Sequence, residues 1–242
     1  MAFRVGTSGW HYKHWRGDFY PQKMPMREWL EYYVGQFDTV ELNNSFYRQP
    51  SDDAWELWRG TAPEGFVFAV KASRFITHIK RLKEPDDSVE RAVTAARKLG
   101  PHLGPLLYQM PPTFRREVEN VGRLVEFVQR LPAGVCHVIE FRHESWFVEE
   151  TFALLERHGV GFCAFDMPGL ECPVRATGRV GYMRFHGSGQ RYGGNYTEAM
   201  LRDWAGKLRT LAKGREDVYV YFNNDIGGHA PRNALTLREM LA

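Results

Sequence analysis

Short runs of apolar, β-branched and aromatic residues recur at regular intervals along this chain. There are eight, at residues 3–8, 39–43, 66–72, 105–110, 136–142, 160–166, 180–186 and 218–223. Continuous apolar runs of this length are typical of strands that are buried on both faces of a parallel sheet. The pattern therefore predicts eight buried strands.

Segments with apolar residues at helical spacing lie between most of these runs. Residues 26–37 are an example, because Trp29, Leu30, Tyr33 and Phe37 fall on one face of a helix. The connection at residues 167–179 is the exception, since it is too short for a full helix. Strands that alternate with helices predict repeated βα units and a parallel sheet.

Eight βα units in 242 residues predict an α/β fold, a single TIM-like (β/α)8 barrel domain over residues 1–242. The connection between strands 6 and 7 is expected to lack a full helix. An open, doubly wound sheet is the alternative. It is less favoured because no glycine-rich dinucleotide-binding fingerprint follows the first strand.

Composition narrows the class of protein. The net charge of +3 suits an anionic small molecule and is too weak to demand a nucleic-acid partner. Three cysteines without a C-x-x-C pair predict buried, reduced thiols. No apolar stretch approaches the roughly 18 residues of a membrane span, and the chain start leads directly into a strand pattern. We therefore expect a cytoplasmic protein with no membrane contact, while the oligomeric state stays open.

The predicted strands end in polar residues, although they begin with apolar ones. In a barrel enzyme the catalytic groups lie at these carboxyl ends and in the loops that follow. Side chains alternate across a strand, so residues two positions apart share a face. Three polar pairs meet this condition: Glu41 with Asn43, Glu140 with Arg142, and Arg184 with His186.

These residues define a predicted active site. Glu140 is the expected general acid or base, with His186 or Asp166 as its partner, because such chemistry needs two groups of different proton affinity. The residues expected to bind the substrate or its anionic group are Lys71, Arg142, Arg184, Glu41, Asn43, Asn223, Asp225, Trp10, Tyr47 and Gln109.

A purely structural role for these charges is the competing interpretation. Acids and bases at one rim can neutralise one another in a buried network that closes the barrel. Because burying ions generally costs more than pairing returns, and because clusters of shifted groups mark functional sites, a functional role is favoured.

A divalent metal is a second alternative at this site. Glu41, Glu140, Asp166 and His186 are all ligand types. Three cations, Lys71, Arg142 and Arg184, are expected at the same end of the barrel and would repel a metal ion. No metal-binding motif such as H-E-x-x-H is present. A metal-free site is therefore favoured, and no cofactor is predicted.

Two glycine-rich loops follow the last two strands, at residues 186–196 and 223–234. They carry Arg191 and Arg232, and the second opens a helix. Barrels often bind phosphate at this place.

The first loop, residues 8–21, is rich in aromatic rings. It is either a stacking wall for a sugar or base or a hydrophobic plug.

The chain resembles domain-of-unknown-function family 72, the YecE-like proteins. The stretches that carry the resemblance are GTSGWHYKHWRGDFYP, TVELNNSFYR, FVFAVKASRFITH, LGPLLYQMPPTF, EFRHESW, RFHGSGQRYGGNY and VYVYFNNDIGGHAPRNA. The resemblance implies a TIM-like barrel in a bacterial or archaeal cytosol and no established reaction. Analogy at the level of the fold links it to sugar isomerases and apurinic endonucleases, whose metal-binding residues are not recognisably spaced here.

Two functions follow as hypotheses. The first is an enzyme, hydrolase-like or sugar-isomerase-like, acting on a phosphate-bearing or otherwise anionic sugar or nucleotide. The second is a nucleic-acid-binding protein, endonuclease-like in one version, that uses the aromatic first loop. Its basic neighbours would be Lys13, Arg16, Arg48, Arg74 and Lys80.

Overall fold

Eight parallel strands form one sheet in the order β1-β8-β7-β6-β5-β4-β3-β2 in the computed structural model, which describes residues 1–242. The strands are β1 Phe3–Thr7, β2 Thr39–Leu42, β3 Val67–Lys71, β4 Leu103–Gln109, β5 His137–Glu140, β6 Gly161–Asp166, β7 Gly181–Phe185 and β8 Val218–Phe222. All eight predicted strands are confirmed, each within two residues of its predicted bounds.

Helices connect the strands and surround the sheet. They are α1 Trp29–Val34, α2 Asn44–Tyr47, α3 Asp52–Thr61, α4 Asp86–Ala96, α5 Val118–Gln129, α6 Glu149–Arg157, α7 Glu198–Leu211 and α8 His229–Leu241. No helix lies between β6 and β7, as predicted, and the fold is a TIM-like barrel. None of the helices combines the length and the apolar character that crossing a membrane requires.

The barrel closes between β1 and β2, where strand pairing is reduced to one bridge between Ser8 and Glu41. The hydroxyl group of Tyr33 fills the gap below that bridge. It accepts a hydrogen bond from the backbone N–H of Thr7 at 3.0 Å and donates one to the carbonyl of Thr39 at 3.2 Å. The Tyr33 side chain therefore supplies hydrogen bonds that a continuous strand ladder would otherwise make between β1 and β2. We refer to this junction between β1 and β2 as the seam.

Gly6 is required at the same seam. A Cβ atom at this position would lie 2.3 Å from the carbonyl oxygen of Thr39, a backbone atom that cannot swing away. The close approach of two backbones is a common reason for glycine inside a strand.

Two apolar clusters follow from the alternation of side chains along each strand. The larger one packs between the strands and the helices and includes Phe162 and Ala164 of β6. The smaller one fills the inside of the barrel: Ala69, Leu107, Val138, Cys163, Val180, Tyr182, Tyr219 and Tyr221. Residues that continue this inner face toward the carboxyl ends of the strands form the mouth. Of the three cysteines, which are all free thiols, Cys163 is buried and the other two are half-buried.

Candidate active site

Three of the predicted charged residues form a continuous chain across the inside of the barrel. Arg184 on β7 donates from Nη2 to Oε1 of Glu41 at 2.7 Å and from Nη1 to Oε2 of Glu140 at 2.8 Å. Side-chain exposure is 1% for Arg184 and 0% for both carboxylates. The guanidinium thus joins β2 to β5 through the centre of the fold.

The remaining partners of Glu41 are neutral. Tyr182 donates its hydroxyl hydrogen to Oε2 at 2.7 Å, and the hydroxyl of Ser8 donates to Oε1. Asn43, which was predicted to bind substrate, donates to the Ser8 oxygen at 2.8 Å, and its own amide oxygen has no partner. Both oxygens of Glu41 are therefore occupied, and the group holds Arg184 in place.

Arg142 is fixed on three sides. Its Nε donates to Glu140, Nη1 lies 2.8 Å from the sulfur of Met167, and Nη2 lies 2.7 Å from Nε2 of His186. The guanidinium carbon also lies 4.8 Å from the centre of the Phe165 ring. A guanidinium has five N–H donors, so two remain free for a ligand.

Glu140 is held as a carboxylate. Burial opposes its ionisation, but the positive charges of Arg142 and Arg184 outweigh burial and bring its pKa well below the ordinary value. Its Oε2 also lies 3.5 Å from the thiol of Cys163. With both oxygens engaged, Glu140 anchors two arginines, which does not suit the general acid or base role that the sequence suggested.

His186 is a neutral acceptor. A guanidinium cannot accept a hydrogen bond, so Nε2 of His186 accepts from Arg142. Burial, together with Arg142 and Arg184, lowers the pKa of the ring well below its ordinary value. Its remaining proton then lies on Nδ1, which is 3.1 Å from Nδ2 of Asn223. Because two donors cannot share this contact, the amide is assigned the flipped orientation, in which its oxygen accepts from Nδ1. His186 and Asn223 therefore position Arg142.

Asp166 does not join Glu140 and His186. It shares the outer face of β6 with Phe162 and Ala164, which belong to the cluster beneath the helices. Its Oδ2 accepts a hydrogen bond from the hydroxyl of Tyr196 at 2.8 Å, and burial raises its pKa. The prediction that Asp166 partners Glu140 is therefore not supported, because the two side chains point to opposite faces of the barrel wall.

Lys71 stands apart from this network. Two carboxylates, Glu41 and Glu140, face the two arginines already described, so their formal charges cancel without Lys71. The Lys71 nitrogen makes no hydrogen bond or ion pair and lies 4.1 Å from the centre of the Phe46 ring. Burial lowers the pKa of Lys71 to about 7, with help from Arg184 and against the opposing pull of Glu140 and Glu41.

A cavity of about 560 Å³ opens above these residues at the carboxyl ends of the strands. Its lining includes Lys71, Gln109 and Arg142 from the strand ends, Phe46 and Tyr47 from α2, His78, His143 and Glu144 from the loops after β3 and β5, and Arg191 and Tyr192 from the loop after β7. The volume falls within the range of about 300–1,000 Å³ that small-molecule sites occupy. The structure thus brings Lys71, Arg142, Tyr47 and Gln109 together as the sequence predicted.

His78 is a cavity residue that the sequence interpretation missed. It lies in a single π-helical turn, Phe75–Ile79, directly after β3. Such turns are frequent at functional sites but have no sequence signature that would have marked this one. Burial, followed by the charges of Lys71 and Arg74, lowers the pKa of His78 to about 4. The ring is therefore neutral at physiological pH.

Six of the ten predicted substrate-binding residues do not line the cavity. Four of them belong to the network described above: Glu41, Asn43, Arg184 and Asn223. The other two are Trp10 and Asp225. Trp10 is buried among the outer apolar residues, with its ring centre 5.8 Å from that of Trp58. Asp225 pairs with His14, whose Nε2 lies 3.7 Å from the carboxylate and 2.6 Å from the backbone oxygen. Neither side chain reaches the network around Arg184.

The start of α8, where a phosphate site was expected, is flanked by a carboxylate of the protein. Arg232 donates to Asp18 at 2.5 Å, and the same carboxylate lies 3.4 Å from the position that a Cβ on Gly228 would take. An acidic group at a helix N-terminus is favourable, so Asp18 occupies the place where an anion would be stabilised.

The first loop acts as a hydrophobic plug. Trp15 and Tyr20 are buried, and Tyr20 stacks on Trp29 with 4.7 Å between ring centres. Rings that are covered in this way offer no face to a base or a sugar.

No group of three or more His, Cys, Asp or Glu side chains is arranged to hold a metal ion. Three of the ligand types named above, Glu41, Glu140 and His186, are instead hydrogen-bonded to arginines.

Fold and site together define a TIM-like barrel protein with a polar, mainly basic cavity at the carboxyl ends of its strands. Residues 4–242 match the family described as "Protein of unknown function DUF72", and the chain belongs to that family. The resemblance noted from the sequence motifs is confirmed.

The relatives match this chain over different lengths. The "UPF0759 protein YunF" of Bacillus subtilis (strain 168) is 31% identical over 272 residues, covering 98% of this chain and 94% of the relative. The "UPF0759 protein YecE" of Escherichia coli (strain K12) is 31% identical over 120 residues, 50% of this chain and 43% of the relative. A crystal structure of a DUF72 family protein from Thermotoga maritima MSB8 superposes with a TM-score of 0.91 at 32% identity, covering 100% of this chain and 99% of that one.

Proposed function

We propose that this chain is an enzyme that binds a phosphate-bearing or otherwise anionic small molecule, of the sugar or nucleotide class, in the cavity at the barrel mouth. The observation that carries the proposal is the grouping of Lys71, Arg142 and Arg191 around one cavity whose only acidic lining residue is Glu144. Cations that line one cleft favour an anionic occupant.

Arg142 is the expected anchor for the anionic group. Glu140 and His186 fix its guanidinium, so little side-chain freedom is lost when a ligand binds. Its two free N–H donors suit phosphate or carboxylate oxygens. Arg191 is exposed on the loop after β7 and approaches the same space.

Lys71 is the expected group for proton transfer. With a pKa of about 7, it exists in both protonation states at neutral pH. A general base works best when its pKa lies near the operating pH. Lys71 thus takes the role that the sequence had assigned to Glu140 and His186.

Burial of Trp10, Trp15 and Tyr20 weighs against the nucleic-acid alternative. That alternative relied on exposed rings for stacking on bases. A small-molecule substrate is therefore the better interpretation.

Titration calorimetry with matched pairs of ligands tests the proposal. Glycerol 3-phosphate, ribose 5-phosphate and AMP are compared with glycerol, ribose and adenosine. We expect at least one phosphate-bearing compound to bind about tenfold or more tightly than its neutral counterpart, a difference of about 1.4 kcal/mol. Absence of binding by all three phosphate compounds would reject the proposed function.

Variants of Arg142 test whether the anionic ligand binds in this cavity. Arg142→Met removes the anchor, and Arg142→Lys keeps the charge but loses the planar fork. Both are expected to weaken binding by about tenfold or more, since hydrogen bonds to charged groups contribute about 1.5–3 kcal/mol. Arg157→Met removes an exposed arginine of α6 and should bind like the unmodified protein. Equal affinity in the Arg142 variants would place the anion elsewhere.

A further inference from the structure

Lys71 has the surroundings of a nucleophilic amine. Its nitrogen lies at the end of β3, faces a cavity and contacts no carboxylate, whereas Arg142 and Arg184 are both paired with Glu140. Beside it lies the Phe46 ring, at 4.1 Å. A lysine that serves only to neutralise charge would be expected to contact one of the two mouth carboxylates.

The electrostatic environment supports a reactive amine. Burial and the charge of Arg184 lower the pKa of Lys71 to about 7, which leaves a large fraction unprotonated at neutral pH. The Phe46 ring offers the ammonium form a modest opposing attraction. Desolvated lysines next to another cation are typical nucleophiles toward carbonyl carbon.

We propose that Lys71 forms an imine with the carbonyl carbon of an aldehyde or ketone that also carries a phosphate or other anionic group, with Arg142 holding the anionic end. The inference rests on the proposed function, because it requires an anionic small molecule in this cavity. It adds a substrate class, the anionic carbonyl compounds, and a covalent step, in which the unprotonated amine of Lys71 acts as a nucleophile in place of a general base.

The step balances without an oxidant or a reductant. The lone pair of the amine forms a C–N bond, the π electrons of the carbonyl move to oxygen, and a proton passes from nitrogen to that oxygen. The resulting hydroxyl group takes a second proton from solvent and leaves as water while the nitrogen lone pair forms the C=N bond of an iminium ion. The iminium nitrogen then returns its proton to solvent, so the net change is the loss of one water. Addition of water reverses the sequence and restores the amine of Lys71.

Gln109 is placed to assist the intermediate. Its amide nitrogen donates to the backbone oxygen of Met110 at 2.7 Å, and its amide oxygen makes no hydrogen bond within the protein. Gln109 lines the same cavity as Lys71. A free acceptor at this position suits the hydroxyl group that the intermediate carries before water leaves.

Reductive trapping tests the inference. The full chain is incubated with dihydroxyacetone phosphate and sodium cyanoborohydride, and the products are identified by intact mass and peptide mapping. We expect one adduct, with the mass of the ligand plus two hydrogens minus one water, on Lys71. Exposed lysines, which solvent keeps in the charged ammonium form, should carry at least about tenfold less.

Control compounds and variants make the result specific. Dihydroxyacetone lacks the phosphate and should give little adduct, and glycerol 3-phosphate lacks the carbonyl group and should give none. Lys71→Arg and Lys71→Met should abolish the adduct, and Lys213→Arg, at an exposed lysine, should leave it unchanged. Circular dichroism confirms that both Lys71 variants are folded.

The outcomes separate the two proposals. Adducts spread evenly over the lysines, or unchanged in the Lys71 variants, would overturn the imine. Binding of glycerol 3-phosphate without any adduct from dihydroxyacetone phosphate would also reject the imine while leaving the proposed function standing. Absence of both binding and adduct would reject both.

Discussion

Arg142 donates a hydrogen bond from Nη2 to Nε2 of His186 across 2.7 Å. This contact occupies the lone pair that His186 would need as a general base. It also requires the ring to be neutral, in agreement with the lowering of its pKa by burial and by the neighbouring arginines. The histidine at the centre of the predicted site therefore positions Arg142, the arginine proposed to bind the anion.

Replacing His186 tests this supporting role. His186→Phe removes the acceptor, and we expect anion affinity to fall about tenfold, the effect of one lost hydrogen bond to a charged group. His186→Gln offers an amide oxygen and should restore most of the affinity. Calorimetric titrations with the tightest phosphate ligand provide the measurement. Equal losses of affinity in both variants would show that an acceptor at this position does not support the anion site.

The half-buried amine of Lys71 predicts an unusual dependence of stability on pH. Its pKa falls from 10.5 to about 7 on folding, so between these values the unfolded chain binds a proton that the folded chain does not. Stability therefore rises with pH through this window, and below about pH 7 the folded protein bears the full cost of the partly desolvated ammonium.

Lys71→Met should accordingly stabilise the protein, most at or below pH 7 and least near pH 10.5, the two ends of the window set by the pKa values of Lys71. We expect a rise in Tm of at least about 3 °C at neutral pH. Thermal unfolding at several pH values across the window measures the effect, with Lys213→Met as the exposed control. A gain that does not change with pH would contradict the assignment.

Glu140→Gln should be strongly destabilising. It removes the carboxylate that Arg142 and Arg184 share and leaves two buried cations with less compensation. Breaking a buried pair in this way costs about 3–5 kcal/mol. Glu149→Gln removes an exposed partner of Arg175 and should cost at most about 1 kcal/mol. Urea unfolding measures both, and similar costs would show that the buried network is not energetically distinct.

The seam between β1 and β2 gives a test that is independent of the site. Tyr33→Phe leaves the N–H of Thr7 without its partner and should cost about 1–3 kcal/mol. Gly6→Ala should cost more, because its Cβ would lie 2.3 Å from the Thr39 oxygen.

Gly206→Ala is the matched control for the seam. This glycine lies inside α7 with no atom within 4 Å of an added Cβ, so the change should stabilise by about 0.5–1 kcal/mol. Unfolding in urea compares the three variants. A tolerated Gly6→Ala would mean that the strands can separate at the seam without loss.

The sequence by itself determined the strands and much of the mouth. Both are local properties, since apolar runs mark strands and side chains alternate at every residue. Glu140, Arg142, Arg184 and His186 could thus be assigned to one rim. Asp166 could not be excluded in the same way, because a strand buried on both faces shows no polar face that identifies the inside.

Only the tertiary structure decided what the mouth residues do. The ionisation of a group depends on the charges within a few ångströms, and those charges come from strands far apart in the sequence. Glu140 meets Arg142 and Arg184 and stays ionised, whereas Lys71 meets no carboxylate and becomes a weak base. A different strand register that paired Lys71 with an acid would have made Lys71 a paired cation and not a weak base, although the sequence would contain the same residue types.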